Sequence, residues 1–127
     1  MTAEPTTAGD PLLMVVDDDP SVLLLVDVLG EKLGFRVKAV SSGLQALEHL
    51  RDGLQPSVIL LDIMMDRIDG LTFLGHLREM PALEGTPVIA MSTPAVLERY
   101  GDQLQVSGTL LKPITSATLS QALSQYR

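Results

Sequence analysis

The sequence predicts a doubly wound α/β fold, with five parallel strands alternating with five helices. Three observations lead there. Short apolar runs alternate with helix-period segments from residue 12 onward, and Gly or Pro punctuates the joins. Hydrophobic residues make up 46% of the chain while aromatics are 3% and Trp is absent, so the core is aliphatic. Finally, 127 residues suit one domain with a substantial core. Strands separated by helices are joined by right-handed crossovers, which give a parallel sheet covered on both faces.

The elements follow in order. MTAEPTTAGD (residues 1–10) is small and polar and reads as a mobile tail, leaving residues 11–127 as the domain. Leu12–Val16 is the first strand. Asp19-Pro20 is a cap and first-turn pair, and Val22, Leu25, Val26, Leu29 and Leu33 recur at helical spacing. Gly34 ends that helix and Phe35–Val40 forms the second strand. Ser41 or Ser42 caps a helix carrying Leu44, Leu47 and Leu50, which Gly53 and Pro56 break before strand three, Val58–Leu61. Asp69-Gly70 marks a turn into a helix with Leu71, Leu74 and Leu77. Pro81 and Gly85 bracket a loop before Val88–Met91, the fourth strand. Ala95–Leu104 is a short helix, Thr109–Leu111 the fifth strand, and Ser116–Tyr126 a closing helix with Leu119, Ala122, Leu123 and Tyr126 inward.

Composition also excludes function classes. Nine Lys and Arg against 16 Asp and Glu give a net charge of −7, the wrong sign for a nucleic-acid surface. Cations and partners with a basic face are compatible with it. Without Cys, disulfides, thiolate metal sites and Cys nucleophiles are excluded. The tail lacks the basic start and apolar segment of a signal peptide, and no apolar run reaches the roughly 18 residues of a membrane span. A soluble, cytoplasmic protein is expected.

In an open parallel sheet, functional groups gather at the carboxyl ends of the strands. There the first strand ends in Asp17, Asp18 and Asp19, the third in Asp62, the fourth in Ser92 and Thr93, and the fifth in Lys112-Pro113. A carboxylate closing the apolar run SVILLD is costly unless it is paired or reactive. Clustered carboxylates repel, and a hard cation such as Mg2+ resolves the repulsion through oxygen ligands. An ammonium and a hydroxyl beside them suit the oxygens of a phosphoryl group in transfer, with Asp62 as nucleophile.

The stretches MVVDDDP, VILLDIMM, PVIAMST and LLKP resemble the signature stretches of the response-regulator receiver domain of two-component signalling. The resemblance spans residues 12–127 and implies a flavodoxin-like strand order, 2-1-3-4-5. It implies Asp62 as phospho-acceptor, and Mg2+ on Asp18, Asp62 and the Met64 backbone carbonyl, with Asp17 assisting through water. Ser92 would bind a phosphoryl oxygen and Lys112 would pair with Asp62 or its phosphate, next to a Lys112-Pro113 bond often cis in this family. The implied partners are a sensor histidine kinase or phosphotransfer protein and a downstream effector. Asp19 reads as a helix cap, His49 and His76 as solvated helix positions, and Met64 and Met65 as loop and core packing.

Several positions depart from that family's pattern. Asp66 replaces a usual proline, Thr93 a small residue, and Thr109 the aromatic that normally swings inward in the switch. The segment from Ser92 to Lys112 is about two residues short, with Pro94 at its start, so the fourth helix is expected to be short or shifted. QVSGTLLKP also lacks the acidic run of regulators that dimerise through this face, and no basic or helix-turn-helix segment follows. Output is then a protein contact, or belongs to a domain outside this sequence. The departures motivate an alternative: a pseudo-receiver that acts as an interaction module without phosphorylation. An aspartyl phosphatase of the haloacid-dehalogenase type is disfavoured, because its second Asp would fall where Met64 stands. Beyond slow self-dephosphorylation, no enzyme activity is expected.

Overall fold

The computed structural model describes residues 9–64, 70–100 and 106–126. Five strands, β1 (Leu12–Val16), β2 (Arg36–Val40), β3 (Val58–Asp62), β4 (Val88–Ser92) and β5 (Gly108–Leu111), alternate with five helices. These are α1 (Pro20–Lys32), α2 (Gly43–Arg51), α3 (Gly70–Arg78), α4 (Pro94–Tyr100) and α5 (Ser116–Leu123). All neighbouring strands pair in parallel in the order β2-β1-β3-β4-β5, as expected. Because the chain leaves β1 toward β2 on one side and β3 on the other, the carboxyl ends of β1 and β3 flank the topological switch point.

Alternation along the strands divides the core in two. Met14, Val16, Ile59, Leu61, Val88 and Ala90 face α2 and α3, meeting Ala46, Leu47, Leu50, Phe73, Leu74 and Leu77. Leu13, Val15, Val58, Leu60, Ile89 and Met91 point the other way, onto Val26 of α1 and Leu119 and Leu123 of α5. The strands are thus apolar on both faces, the mark of a covered parallel sheet. Each fully buried Leu or Val contributes roughly 1.5–3 kcal/mol relative to an exposed one.

Local chemistry sets the joins. Asp19 caps α1, its Oδ1 accepting from the Ser21 N–H at 2.9 Å and the Ser21 hydroxyl at 2.7 Å. Ser42, not Ser41, caps α2 by accepting from the Gln45 N–H at 3.1 Å. Thr115 and Thr118 form a reciprocal cap on α5. Gly34 turns the chain from α1 into β2 at φ 94°, a left-handed conformation natural only to glycine.

The helical phase differs from the sequence reading at two leucines. Leu25 is 37% exposed and Leu44 is 45% exposed. Leu23 joins Val22, Val26, Leu29 and Leu33 on the inner face of α1, while buried Gly30 lets the helix approach the sheet. Ala46 takes the inward place on α2. A leucine at helical spacing falls outside the contact stripe when neighbouring residues already fill it. Helix α4 starts at Pro94, one residue earlier than expected, and its expected end at Leu104 lies outside the described residues. So do the residues 1–8 of the expected tail and the readings at Met65, Asp66 and Asp69. Among the described residues no helix is long and apolar enough to cross a membrane.

Candidate functional site

Each apolar strand carries its backbone hydrogen bonds to the carboxyl edge and delivers there one polar side chain. Asp17 follows β1, and its N–H is tied to the Val40 carbonyl at 3.2 Å. Its carboxylate is fully buried: Oδ1 accepts from the Asp19 N–H at 2.9 Å and Oδ2 lies 2.8 Å from Lys112 Nζ. Asp18, the next residue, is exposed. Asp62 closes β3 at 4% exposure, with Oδ1 accepting from the Met64 N–H at 3.1 Å and Oδ2 3.6 Å from Lys112 Nζ. Carboxylate oxygens of Asp17, Asp18 and Asp62 all lie within 4.8 Å of one another.

Lys112 reaches this cluster from the far side of β4. Its N–H donates to the Ser92 carbonyl at 3.0 Å, and the Lys112-Pro113 bond is cis. The register pairs Asp62 with Met91, so Ser92 ends β4 one residue beyond the level of Asp62. Ser92, the hydroxyl expected from the sequence, is buried, and Thr93 beside it is exposed.

The electrostatics follow from crowding. Burial, and then the neighbouring Asp17 charge, push the Asp62 carboxyl up to about 6, against the opposing pull of Lys112 and the Met64 N–H. For Lys112, burial favours the neutral amine, but the hydrogen bond to Asp17 and the charges of Asp62 and Asp17 outweigh it. Its pKa is raised and the ammonium persists. Asp19 moves in the opposite direction from Asp62: the Ser21 hydroxyl and N–H hold its carboxyl below the usual range. Capping is therefore what the geometry gives Asp19, two residues from a buried carboxylate with another fate.

The donor set fits a hard divalent cation. Opposite ligands of an octahedral Mg2+ stand about 4.2 Å apart, so a 4.8 Å spread suits two direct carboxylates and a third working through water. Asp17 already has both oxygens engaged, while Asp18 is exposed and the Oδ2 of Asp62 has only a long contact.

The structure sharpens some readings and corrects others. Lys112 stands nearer to Asp17 than to Asp62, a preference that strand-end spacing does not encode. Met64 is 55% exposed, so its side chain is not core packing. His49 and His76 are half-buried rather than fully solvated. Sequence reasoning also missed Gly70. Its N–H donates to the Ile63 carbonyl at 2.9 Å, and a Cβ there would lie 2.7 Å from Ile63 Cα. Glycine is required where α3 closes back against the residue after Asp62, and the only sequence signal for this was the Asp69-Gly70 turn.

This fold and this arrangement of carboxylates and lysine define a receiver. The family model for the response regulator receiver domain matches residues 13–124, and the chain belongs to that family. It is 37% identical over 127 residues to the "Probable C4-dicarboxylate response regulator DctR" of Halalkalibacterium halodurans, covering 94% of this chain and 53% of that protein. With the signal transduction histidine-protein kinase BarA of Escherichia coli it shares 32% identity over 117 residues, 91% of this chain and 13% of BarA. The chain thus spans about half or less of the length of these relatives. Among solved structures, the receiver domain of the sensor histidine kinase PA1611 of Pseudomonas aeruginosa, crystallised with magnesium in its active-site cleft, superposes with a TM-score of 0.82. That match has 24% identity and covers 91% of this chain and 96% of the other, and it shows the shared fold.

Proposed function

We propose that the chain is a phospho-accepting receiver, taking a phosphoryl group onto Asp62 from a histidine kinase or phosphotransfer protein and signalling through a protein contact. The observation that carries this is the state of Asp62: a carboxylate at 4% exposure, beside a second buried carboxylate and only 3.6 Å from an ammonium. Such a group is poorly neutralised, and at neutral pH it is mostly the anion, since its pKa is about 6. An Asp62 oxygen attacks phosphorus, the bond from phosphorus to the donor nitrogen breaks, and the imidazole leaves carrying the electron pair.

In this reading Asp18 and Asp62 hold Mg2+ with the Met64 carbonyl, and Asp17 helps through water. The cation supplies charge neutralisation at the phosphoryl oxygens. Lys112 and Ser92 contribute donors for the same oxygens. The magnesium reported for PA1611 supports the choice of metal. Domain limits of 11–127 belong to the same proposal: the family match covers residues 13–124, and the Arg36 N–H bond to the Pro11 carbonyl, 2.8 Å, ties the residue before β1 to β2. A cytoplasmic location follows from kinase partnership.

The test is an amide NMR spectrum with Mg2+ and beryllofluoride, which mimics an aspartyl phosphate. Shifts spreading from β3 through β4 and α4 are expected. An unchanged spectrum would favour the pseudo-receiver, an interaction module independent of phosphorylation.

A further inference from the structure

We propose that β5 is an open sheet edge that takes a second copy of this chain: the two β5 strands pair antiparallel, backbone to backbone, with the uncharged faces of α5 alongside. The inference is independent of the phospho-accepting reading, because it concerns the molecule with or without a phosphoryl group.

Three observations combine. First, β5 ends the sheet and pairs only with β4 among the described residues, so alternate N–H and C=O groups along its outer side have no strand partner. Second, the two sheet edges are finished differently. The β2 edge carries Arg36 and Lys38, charged side chains of the kind that discourage strand addition. Gly108–Leu111 has neither charge nor proline and leaves Leu111 51% exposed. A groove of about 390 Å³ runs beside it, lined by Thr109, Leu111, Thr118, Gln121 and Ala122. Third, all 16 Asp and Glu residues stand at or before Asp102. From residue 103 to residue 126 the one charged residue is Lys112, whose ammonium is turned to Asp17 at 2.8 Å. Helix α5 accordingly presents Ser116, Ala117, Thr118 and Gln121 to solvent, where a surface helix ordinarily carries charge.

Charge selects the occupant. Two molecules of net charge −7 repel, and screening over about 8 Å at physiological salt leaves that repulsion in force at contact. The uncharged quarter lets them meet without setting acid against acid. It offers a partner with a basic face nothing to pair with. A strand paired with its own copy about a twofold axis is antiparallel and self-complementary. Thr109 and Leu111 share one face of β5, so pairing centred on Leu110 sets Leu111 of each copy opposite Thr109 of the other. Both side chains then leave water, and the main-chain bonds need no ion pair.

The experiment is sedimentation velocity from about 10 μM to about 1 mM protein, at about 0.15 M and about 0.5 M salt, paired with amide hydrogen exchange. Wild type should move from monomer toward dimer across that range, with affinities at the two salts within about threefold. Exchange of the β5 amides should slow as concentration rises. Leu111→Lys, at an exposed position, should weaken association at least about tenfold. Leu24→Lys, on the exposed side of α1, should leave it unchanged, and Asp62→Asn should associate like wild type. A wild type that stays monomeric throughout, or a dimer that survives Leu111→Lys, overturns the inference. So does a dimer formed only with Mg2+ and beryllofluoride, or one that leaves β5 exchange untouched. None of these outcomes bears on whether Asp62 accepts a phosphoryl group.

Discussion

The cleft between β1 and β3 and the outer edge at β5 belong to one sheet but are finished differently. In the cleft, Asp17, Asp62 and Ser92 are all buried, and the N–H groups of Asp17, Ile63 and Lys112 are each tied to a carbonyl of a neighbouring strand. At the β5 edge, Thr109 is exposed, Leu111 is 51% exposed, and a groove of about 390 Å³ opens over Thr109, Leu111, Thr118 and Gln121. The cleft has its chemistry in place at the cost of crowded charge. The edge has room where receivers usually carry an aromatic side chain. Under the proposed function, acceptor chemistry and its read-out would therefore lie in separable parts of one sheet.

The largest structural effect should come from closing the cleft wrongly. Gly70→Ala places a methyl 2.7 Å from Ile63 Cα, and we expect a loss of about 1–3 kcal/mol, read from the urea midpoint. Gly75→Ala on the same helix meets nothing within 4 Å and should be neutral or stabilising by up to roughly 1 kcal/mol. Equal losses for both would remove the claim that the cleft loop is what demands glycine.

The pH dependence of stability probes the crowded charge directly. The Asp62 pKa rises from 3.8 to about 6, so between those values the folded state binds more protons than the unfolded state. Stability from this group is therefore full below 3.8 and declines as pH rises through 6. Asp62→Asn should melt higher than wild type at pH 7.5, with the gap shrinking toward zero near pH 4. Added Mg2+ should raise the wild-type Tm at pH 7.5 more than that of Asp62→Asn. A gap independent of pH would mean that Asp62 is not the strained group.

Smaller effects belong to the periphery. Asp19→Ala removes the α1 cap and should cost about 1 kcal/mol in thermal unfolding, with Mg2+ affinity unchanged within about threefold. Thr109→Val at the β5 edge should stay within about 0.5 kcal/mol of wild type and leave phosphoryl uptake intact. Loss of uptake there would join the two regions that the comparison separates.

Much of this was legible in the sequence, for stated reasons. Apolar runs of strand length ending in acid fixed β1 and β3, and the order of Asp17, Asp18, Asp62, Ser92 and Lys112 along the chain placed all of them at one edge. Asp19-Pro20 announced its own cap. What could not be read depends on distance across strands. Lys112 follows β5 and Asp17 follows β1, with β3 and β4 between them in the sheet order, so their 2.8 Å pairing has no local signature. The outward turn of Leu25 and Leu44 depends on which neighbour fills the stripe, and the close approach at Gly70 on where α3 lands.

The central claim is that Asp62 accepts a phosphoryl group, and the most direct test is intact mass after incubation with Mg2+ and a small phosphodonor such as acetyl phosphate. Wild type should gain the mass of one phosphoryl group, and Asp62→Asn none. A gain of the same mass in Asp62→Asn, or none in wild type under conditions of proven Mg2+ binding and with a histidine kinase supplied, would contradict it.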